Sequence, residues 1–322
     1  MHPVDDSTWW HRKKSVGNGS GARAFFAGYD TMLRSGHWAT TLTLILLLAV
    51  DRRLIALMLV LAAYLILGAI AGTLSGLFGI GGGLVIVPAL VFGFGLQGVS
   101  PEIAVHLAVG TSLATIIFTS ISSVRAHHSR GAVRIDLFWP MAAGIVIGTA
   151  IGVNTAVALS GETLKMIIGI FAIGVAFQMG FGLKPKPSRD VPGEAGLTLV
   201  GGGIGWASAL FGIGGGTLTV PFLSWCNVRI QQVVGTSAAC GLPIAISGAL
   251  TNAWAGWGHP DLPAWSTGFV YWPALVGIAL TSMYFAKFGV RLAHNMKPEV
   301  LKRSFAVLLV IVGLRFLWSA WA

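Results

Sequence analysis

The chemistry available to this chain is concentrated in two short patterns, each of which occurs twice. Leu-Phe-Gly-Ile-Gly-Gly-Gly spans 77–83 and again 210–216, followed five residues later by Pro88 and Pro221. Val-Gly-Thr-Ser spans 109–112 and again 234–237. Three consecutive glycines ahead of a proline unwind a helix, and the helix that restarts beyond them presents unpaired N–H groups and a positive dipole end. Gly81, Gly82 and Gly83, with Gly214, Gly215 and Gly216, therefore form two candidate seats for a negative charge. Thr111, Ser112, Thr236 and Ser237 add hydroxyl donors, with Thr217 and Thr219 as further candidates, although hydroxyls in apolar helices often bond their own i−4 carbonyl instead. A phosphate loop is not expected, because no Lys-Ser/Thr pair follows the glycines and no βαβ pattern surrounds them.

Catalytic equipment is absent from the pattern. No Ser/His/Asp set, carboxylate pair or metal-ligand spacing falls within an apolar stretch, so the expectation is no enzyme activity, no metal and no cofactor. Cys226 and Cys240 read as small apolar side chains without a disulfide. Glu102, Asp136, Glu162 and Asp261 all lie at expected helix ends. That leaves two titratable or charged candidates for gating or coupling: His106, one turn into a helix, and Arg315, which sits thirteen residues after Lys302 and close to Trp318 and Trp321. A packing role for the histidine and snorkelling for the arginine are the simpler alternatives. Trp254 and Trp257 are candidates for the mouth of a pathway.

These residues must be positioned in lipid. Of 322 residues 55% are hydrophobic and 10% are charged, against about 25% charged in ordinary soluble domains. Apolar helices of about 20 residues cross a bilayer. The spacing predicts helices at 54–74, 84–96, 103–124, 137–159 and 163–183, and a corresponding set in the second half. The uncharged runs 54–101 and 195–228 are too long for one crossing, and each holds a glycine triplet near its middle. A break at that depth points to a cavity, since freed backbone groups in hydrocarbon must face protein, water or a ligand.

The glycine motif and the proline after it recur at a 133-residue offset, which also relates Trp139-Pro140 to Trp272-Pro273, so a whole unit is duplicated. Basic residues crowd 125–134 and 184–189 in the first half but follow the fourth helix in the second, at Lys287, Arg291, Lys297, Lys302 and Arg303. By the positive-inside rule the two halves are then upside down relative to each other. The expected architecture is an all-α integral membrane protein made of two homologous, inverted repeats of about five segments each, with glycine-broken short helices 1 and 2 in each. Its parts are a cytoplasmic basic tail (1–36), a marginal pre-helix (37–53, apolar core 38–50), a first repeat (54–190) and a second (191–322). Inverted repeats with paired broken helices characterise secondary transporters that bind substrate between the repeats.

The doubled LFGIGGG, the doubled Val-Gly-Thr-Ser and the aromatic-Pro start of the fourth helix resemble the sulfite exporter TauE/SafE family of membrane permeases, over about residues 55–320. The resemblance implies a permease of the bacterial cytoplasmic (inner) membrane, multi-pass with a cytoplasmic N-terminus, that moves a small sulfur-containing anion such as sulfite, thiosulfate or an organosulfonate. The family often carries Arg near the place of Arg315; Gln178 occupies the matching position of the first half. A passive anion channel, with the glycine breaks as a selectivity filter, is the alternative. The formal charge of +10 is expected to meet anionic lipid headgroups rather than nucleic acid. Association into a homo-oligomer is left open.

Overall fold

Helix starts and stops in this chain follow local signals. The computed structural model describes residues 55, 58–74, 82–181, 189–295 and 298–321; the basic tail, the pre-helix and Gly81 lie outside them. Ten helices and one two-stranded hairpin are present among the described residues: α1 (Met58–Leu74), α2 (Gly83–Leu96), α3 (Pro101–His128), α4 (Ile135–Ala158), α5 (Gly161–Gly180), α6 (Glu194–Phe211), α7 (Gly216–Trp225), α8 (Ile230–Ala255), β1 (Ser266–Thr267), β2 (Val270–Tyr271), α9 (Trp272–Asn295) and α10 (Pro298–Trp321). α3 opens with Pro101 at its first position and Glu102 in its first turn, and ends with Arg125, His127 and His128, a charge order that complements the helix dipole. Ser160 caps α5 by accepting from the Thr163 N–H at 3.3 Å.

Among the described residues five helices are long and apolar enough to cross a membrane: α3, α4, α5, α8 and, over 303–320, α10. α1 and α2 are shorter apolar helices. The hairpin between α8 and α9, with Ser266 opposite Tyr271, was not foreshadowed by the hydropathy of the chain.

Small residues set how the helices pair. Glycine lets two backbones approach until no Cβ fits between them, the usual way helices associate in an apolar solvent. α4 and α6 run parallel through such a seam. A Cβ on Gly148 would strike the backbone of Gly202, and one on Gly205 would stand 2.5 Å from the Ile145 carbonyl oxygen. α1 and α9 make a matching parallel seam, where a Cβ on Gly72 would lie 2.5 Å from Ser282 Cα. α3 and α8 instead pass antiparallel, placing Gly110 beside Asn252, Leu113 beside Gly248 and Ser120 beside Gly241. α5 and α10 are also antiparallel, with Gly169 against Gly313 and Gly180 against Ala306.

α3 lies at the centre. Its residues from Ile103 to Ile116 are buried without interruption, which accounts for their lack of an amphipathic stripe. Around it Leu90, Phe94, Met141, Ile145, Leu164, Leu223 and Ile244 form the main core. Residues 60–322 belong to one compact unit, so no seam separates the chain near residue 190.

Candidate functional site

The two glycine motifs, 133 residues apart in the chain, meet in space. Gly82 precedes α2 in the left-handed region at φ 79°, and its carbonyl accepts from the N–H groups of Val85 and Ile86, both at 3.0 Å. A Cβ on the next residue, Gly83, would collide with the Gly212 carbonyl oxygen and stand 2.8 Å from Ile213 Cα. Gly212 ends α6, also left-handed at φ 62°. α7 begins four residues later, at Gly216.

The two ends of this interruption differ in how their backbone groups are used. At the end of α6, the Gly212 N–H bonds the Ala209 carbonyl at 3.4 Å and the Ile213 N–H bonds the Ser208 carbonyl at 3.0 Å, a pattern that closes a helix C-terminus. The Gly212 carbonyl takes a further bond from Ser112 Oγ at 2.8 Å. At the start of α7, by contrast, the N–H groups of Gly216, Thr217 and Leu218 make no hydrogen bond among the described residues. Three backbone donors therefore stay open at the start of α7, while at the end of α6 the Ser208, Ala209 and Gly212 carbonyls are engaged. Gly214 and Gly215 are buried there, and a Cβ on Gly215 would stand 2.9 Å from both Gly241 N and the Ser237 carbonyl oxygen.

None of the four paired hydroxyls back-bonds to its own helix. Thr111 Oγ1 accepts from the Tyr271 N–H at 3.0 Å, and Thr236 Oγ1 accepts from the Arg134 N–H at 3.0 Å. The contacts correspond: a Cβ on Gly110 would strike the Phe269 carbonyl oxygen, and one on Gly235 the Ala132 carbonyl oxygen. Each Gly-Thr pair thus grips the segment that leads into the fourth helix of the other half. Ser112 spends its one proton on Gly212. Ser237 is 1% exposed and has no partner, and Thr217 Oγ1 and Thr219 Oγ1 are likewise buried and unpartnered. Other helical hydroxyls, including Thr73, Thr115, Thr155, Ser247 and Thr251, bond their i−4 carbonyls, whereas Thr149 Oγ1 on α4 and Ser208 Oγ on α6 are also buried and unpartnered.

His106 and Arg315 are not brought to this place. His106 is buried between two backbone carbonyls, with Nδ1 2.9 Å from Glu102 O and Nε2 3.0 Å from Ala156 O, and lies beside the Phe269 ring. Arg315 is exposed on α10, as are Ile311, Leu314 and Trp318. Trp254 and Trp257 are strongly exposed next to the hairpin. Ser120 escaped notice in the sequence because it belongs to no repeated motif; its Oγ stands 3.2 Å from the position of a Cβ on Gly241, and Gly215 N stands 3.4 Å from the same point. An open groove between α4 and α6, lined by Ile147, Ile151, Leu199 and Trp206, is apolar and offers nothing to a charged ligand. Among the described residues no cluster of His, Cys, Asp and Glu is placed to hold a metal.

A bundle of apolar helices, five of them long enough to cross a bilayer among the described residues, defines a multi-pass membrane protein. The family model described as "Sulfite exporter TauE/SafE" matches residues 63–316, and the chain belongs to that family. It is 38% identical over 257 residues to a probable membrane transporter protein of Haemophilus influenzae, covering 78% of this chain and 95% of the relative. A probable membrane transporter protein of Methanocaldococcus jannaschii is 29% identical over 264 residues, covering 80% and 95%. The probable membrane transporter protein YunE of Bacillus subtilis is 25% identical over 275 residues, covering 79% and 96%. No solved structure matches this chain.

Proposed function

We propose that this member of a membrane transporter family is a secondary transporter that moves a small sulfur-containing anion, such as sulfite, thiosulfate or an organosulfonate, across the cytoplasmic membrane. The substrate is held where the two glycine motifs meet, between two inverted repeats spanning about 54–190 and 191–322. The observation that carries this is the antiparallel passage of α3 against α8, the two helices that bear Val-Gly-Thr-Ser, with the glycine motifs of the two halves in contact beside them. Two equivalent helices related by an axis in the membrane plane run in opposite directions, as inverted repeats require. The crosswise bonds of Thr111 and Thr236 repeat that relation on each side. Gly82, Gly83, Gly214, Gly215 and Gly216 shape the site, Ser237 donates to the anion, and Thr111, Ser112 and Thr236 hold the surrounding backbone. Arg315 and His106 act at a distance from it, at the surface of α10 and at the outer end of α3.

The test is uptake of radiolabelled sulfite, thiosulfate, taurine and sulfoacetate into proteoliposomes holding the full chain, with and without an imposed pH gradient. Saturable uptake of one of them is expected. Gly215→Leu, which drives a side chain into the α8 backbone, is expected to abolish that uptake while the protein still inserts. Undiminished uptake by Gly215→Leu would remove the glycine cradle from the mechanism, and single-channel currents would reassign the chain to a channel.

A further inference from the structure

The segment made by α6 and α7 enters the bundle and leaves it at the same end. The Arg189 guanidinium, just ahead of α6, lies 4.6 Å from the centre of the Trp225 ring at the close of α7. Laid end to end, α6 and α7 would hold those two residues roughly 40 Å apart, so α7 turns back at the break instead of continuing across. The turning point, Gly212, rests on Val109 and Ser112 in the middle of α3. The end at which this return opens is a basic one, because α8 starts shortly after Trp225 and its Thr236 holds the Arg134 N–H. A second return, made by α1 and α2, opens at the other end. Gln97, just past α2, donates to Tyr64 Oη at 2.6 Å, where a straight passage would separate them by roughly 35 Å. Tyr64 and Phe94 pack on Tyr271, in the hairpin beyond the far end of α8. At its inner end Gly83 abuts Gly212 and Ile213.

The two arms of the α6–α7 return are unequally held. α6 is locked to α4 through Gly201 and Gly205. α7 has 10 residues, of whose side chains Thr219 and Leu223 alone are buried, and a helix so short depends on packing for its stability. Hydrogen bonds do not make up the difference, since its first N–H groups and the Thr217 and Thr219 hydroxyls have no partner among the described residues. Gly212, Gly214 and Gly215 link the arms and take up new backbone angles at little cost. Sparse burial, open donors and a glycine link mark a segment that opens before its surroundings do. α2, by contrast, buries Leu84, Ile86, Val87, Leu90 and Phe94.

We infer that α7 is a gate. It swings on the glycine link, opens the meeting point of the two glycine motifs toward the basic end, and is latched shut by Arg189 on the Trp225 ring, while the α1–α2 return closes the opposite end. Arg189 is exposed, and a cation–π contact in water is weak enough to release. The gate rests on the proposed transport and gives the anion its way between the site and one face of the membrane.

Single-cysteine versions of the full chain, carrying Cys226→Ala and Cys240→Ala, are placed in sealed vesicles of known orientation. A membrane-impermeant maleimide is expected to label the Arg189→Cys and Trp225→Cys variants from one side and the Gln97→Cys variant from the other. Labelling of Trp225→Cys from the side opposite Arg189→Cys, or of all three from one side, overturns the opposed returns whatever the protein transports. In the double variant Arg189→Cys with Trp225→Cys, a short bifunctional thiosulfonate is expected to lower uptake of the labelled anion about tenfold or more, with recovery on reduction. Uptake that persists after complete cross-linking overturns the gate and leaves anion transport standing. Absence of uptake by folded protein before cross-linking removes the transport reading and the gate with it, while the labelling pattern still decides the returns. Should the double variant not fold, Arg189→Gln serves instead. With the latch gone, a small thiol reagent is expected to modify native Cys240, whose backbone lies beside Gly215, about tenfold faster, and an unchanged rate overturns the gate.

Discussion

A single hydroxyl oxygen decides where each Val-Gly-Thr-Ser segment is anchored. Thr111 and Thr236 are fully buried and each accepts one N–H from a segment more than a hundred residues away. Replacing Thr111 by Val keeps the shape and strands the buried Tyr271 amide, a loss that costs about 1–3 kcal/mol; at Thr236 the stranded Arg134 amide is only part-buried and the loss is smaller. Thr111→Val and Thr236→Val are each expected to lower the thermal midpoint of the detergent-solubilised protein, and Thr→Ser at the same position should recover most of the loss. The same outcome from Ser and Val would mean that the methyl group, not the oxygen, matters. Cys240 is fully buried and Cys226 nearly so; neither is expected to react with a bulky maleimide until the protein is denatured, and labelling of the native form would show that the α7–α8 junction opens.

At the scale of elements, the helices are held by the closeness of their backbones more than by large side chains. Gly148 and Gly203 illustrate the rule. A Cβ on Gly148 strikes α6, whereas one on Gly203 meets nothing within 4 Å. Gly148→Leu is therefore expected to destabilise the bundle by about 1–3 kcal/mol or more, and Gly203→Leu to leave its melting temperature unchanged. A thermal-shift comparison of the two variants decides this; equal effects would show that the α4–α6 seam gives way freely. The exposed pair of Arg134 with Asp136 tops α4 but is too open to solvent to govern its packing.

For the whole molecule, the pattern of pairing matters more than any one contact. α1 packs with α9, α3 with α8, α4 with α6 and α5 with α10, so each of these pairs joins a helix from before residue 190 with one from after it. Neither half encloses its own core. Chains corresponding to 54–190 and 191–322 are expected to be degraded when made singly and to accumulate when co-expressed, as followed by immunoblot of membranes. Stable accumulation of one half alone would show that the halves are independent folding units.

Hydropathy, glycine and proline placement and end charges are local properties, and they suffice for the solvent of this protein and for its helices. The expected spans 84–96, 103–124 and 137–159 lie within a few residues of Gly83–Leu96, Pro101–His128 and Ile135–Ala158, because those boundaries follow from signals carried by the residues themselves. Sequence could not reveal which hydroxyls remain free: Thr111, Ser112, Thr236 and Ser237 look equivalent in the chain, yet Ser112 is spent on Gly212 across 100 residues and Ser237 is not. Nor could it show Ser120 beside Gly241, or the exposed setting of Arg315 on α10. Those outcomes depend on which helix faces which, and that is set by long-range packing of small residues whose spacing looks alike in almost every helix of the chain.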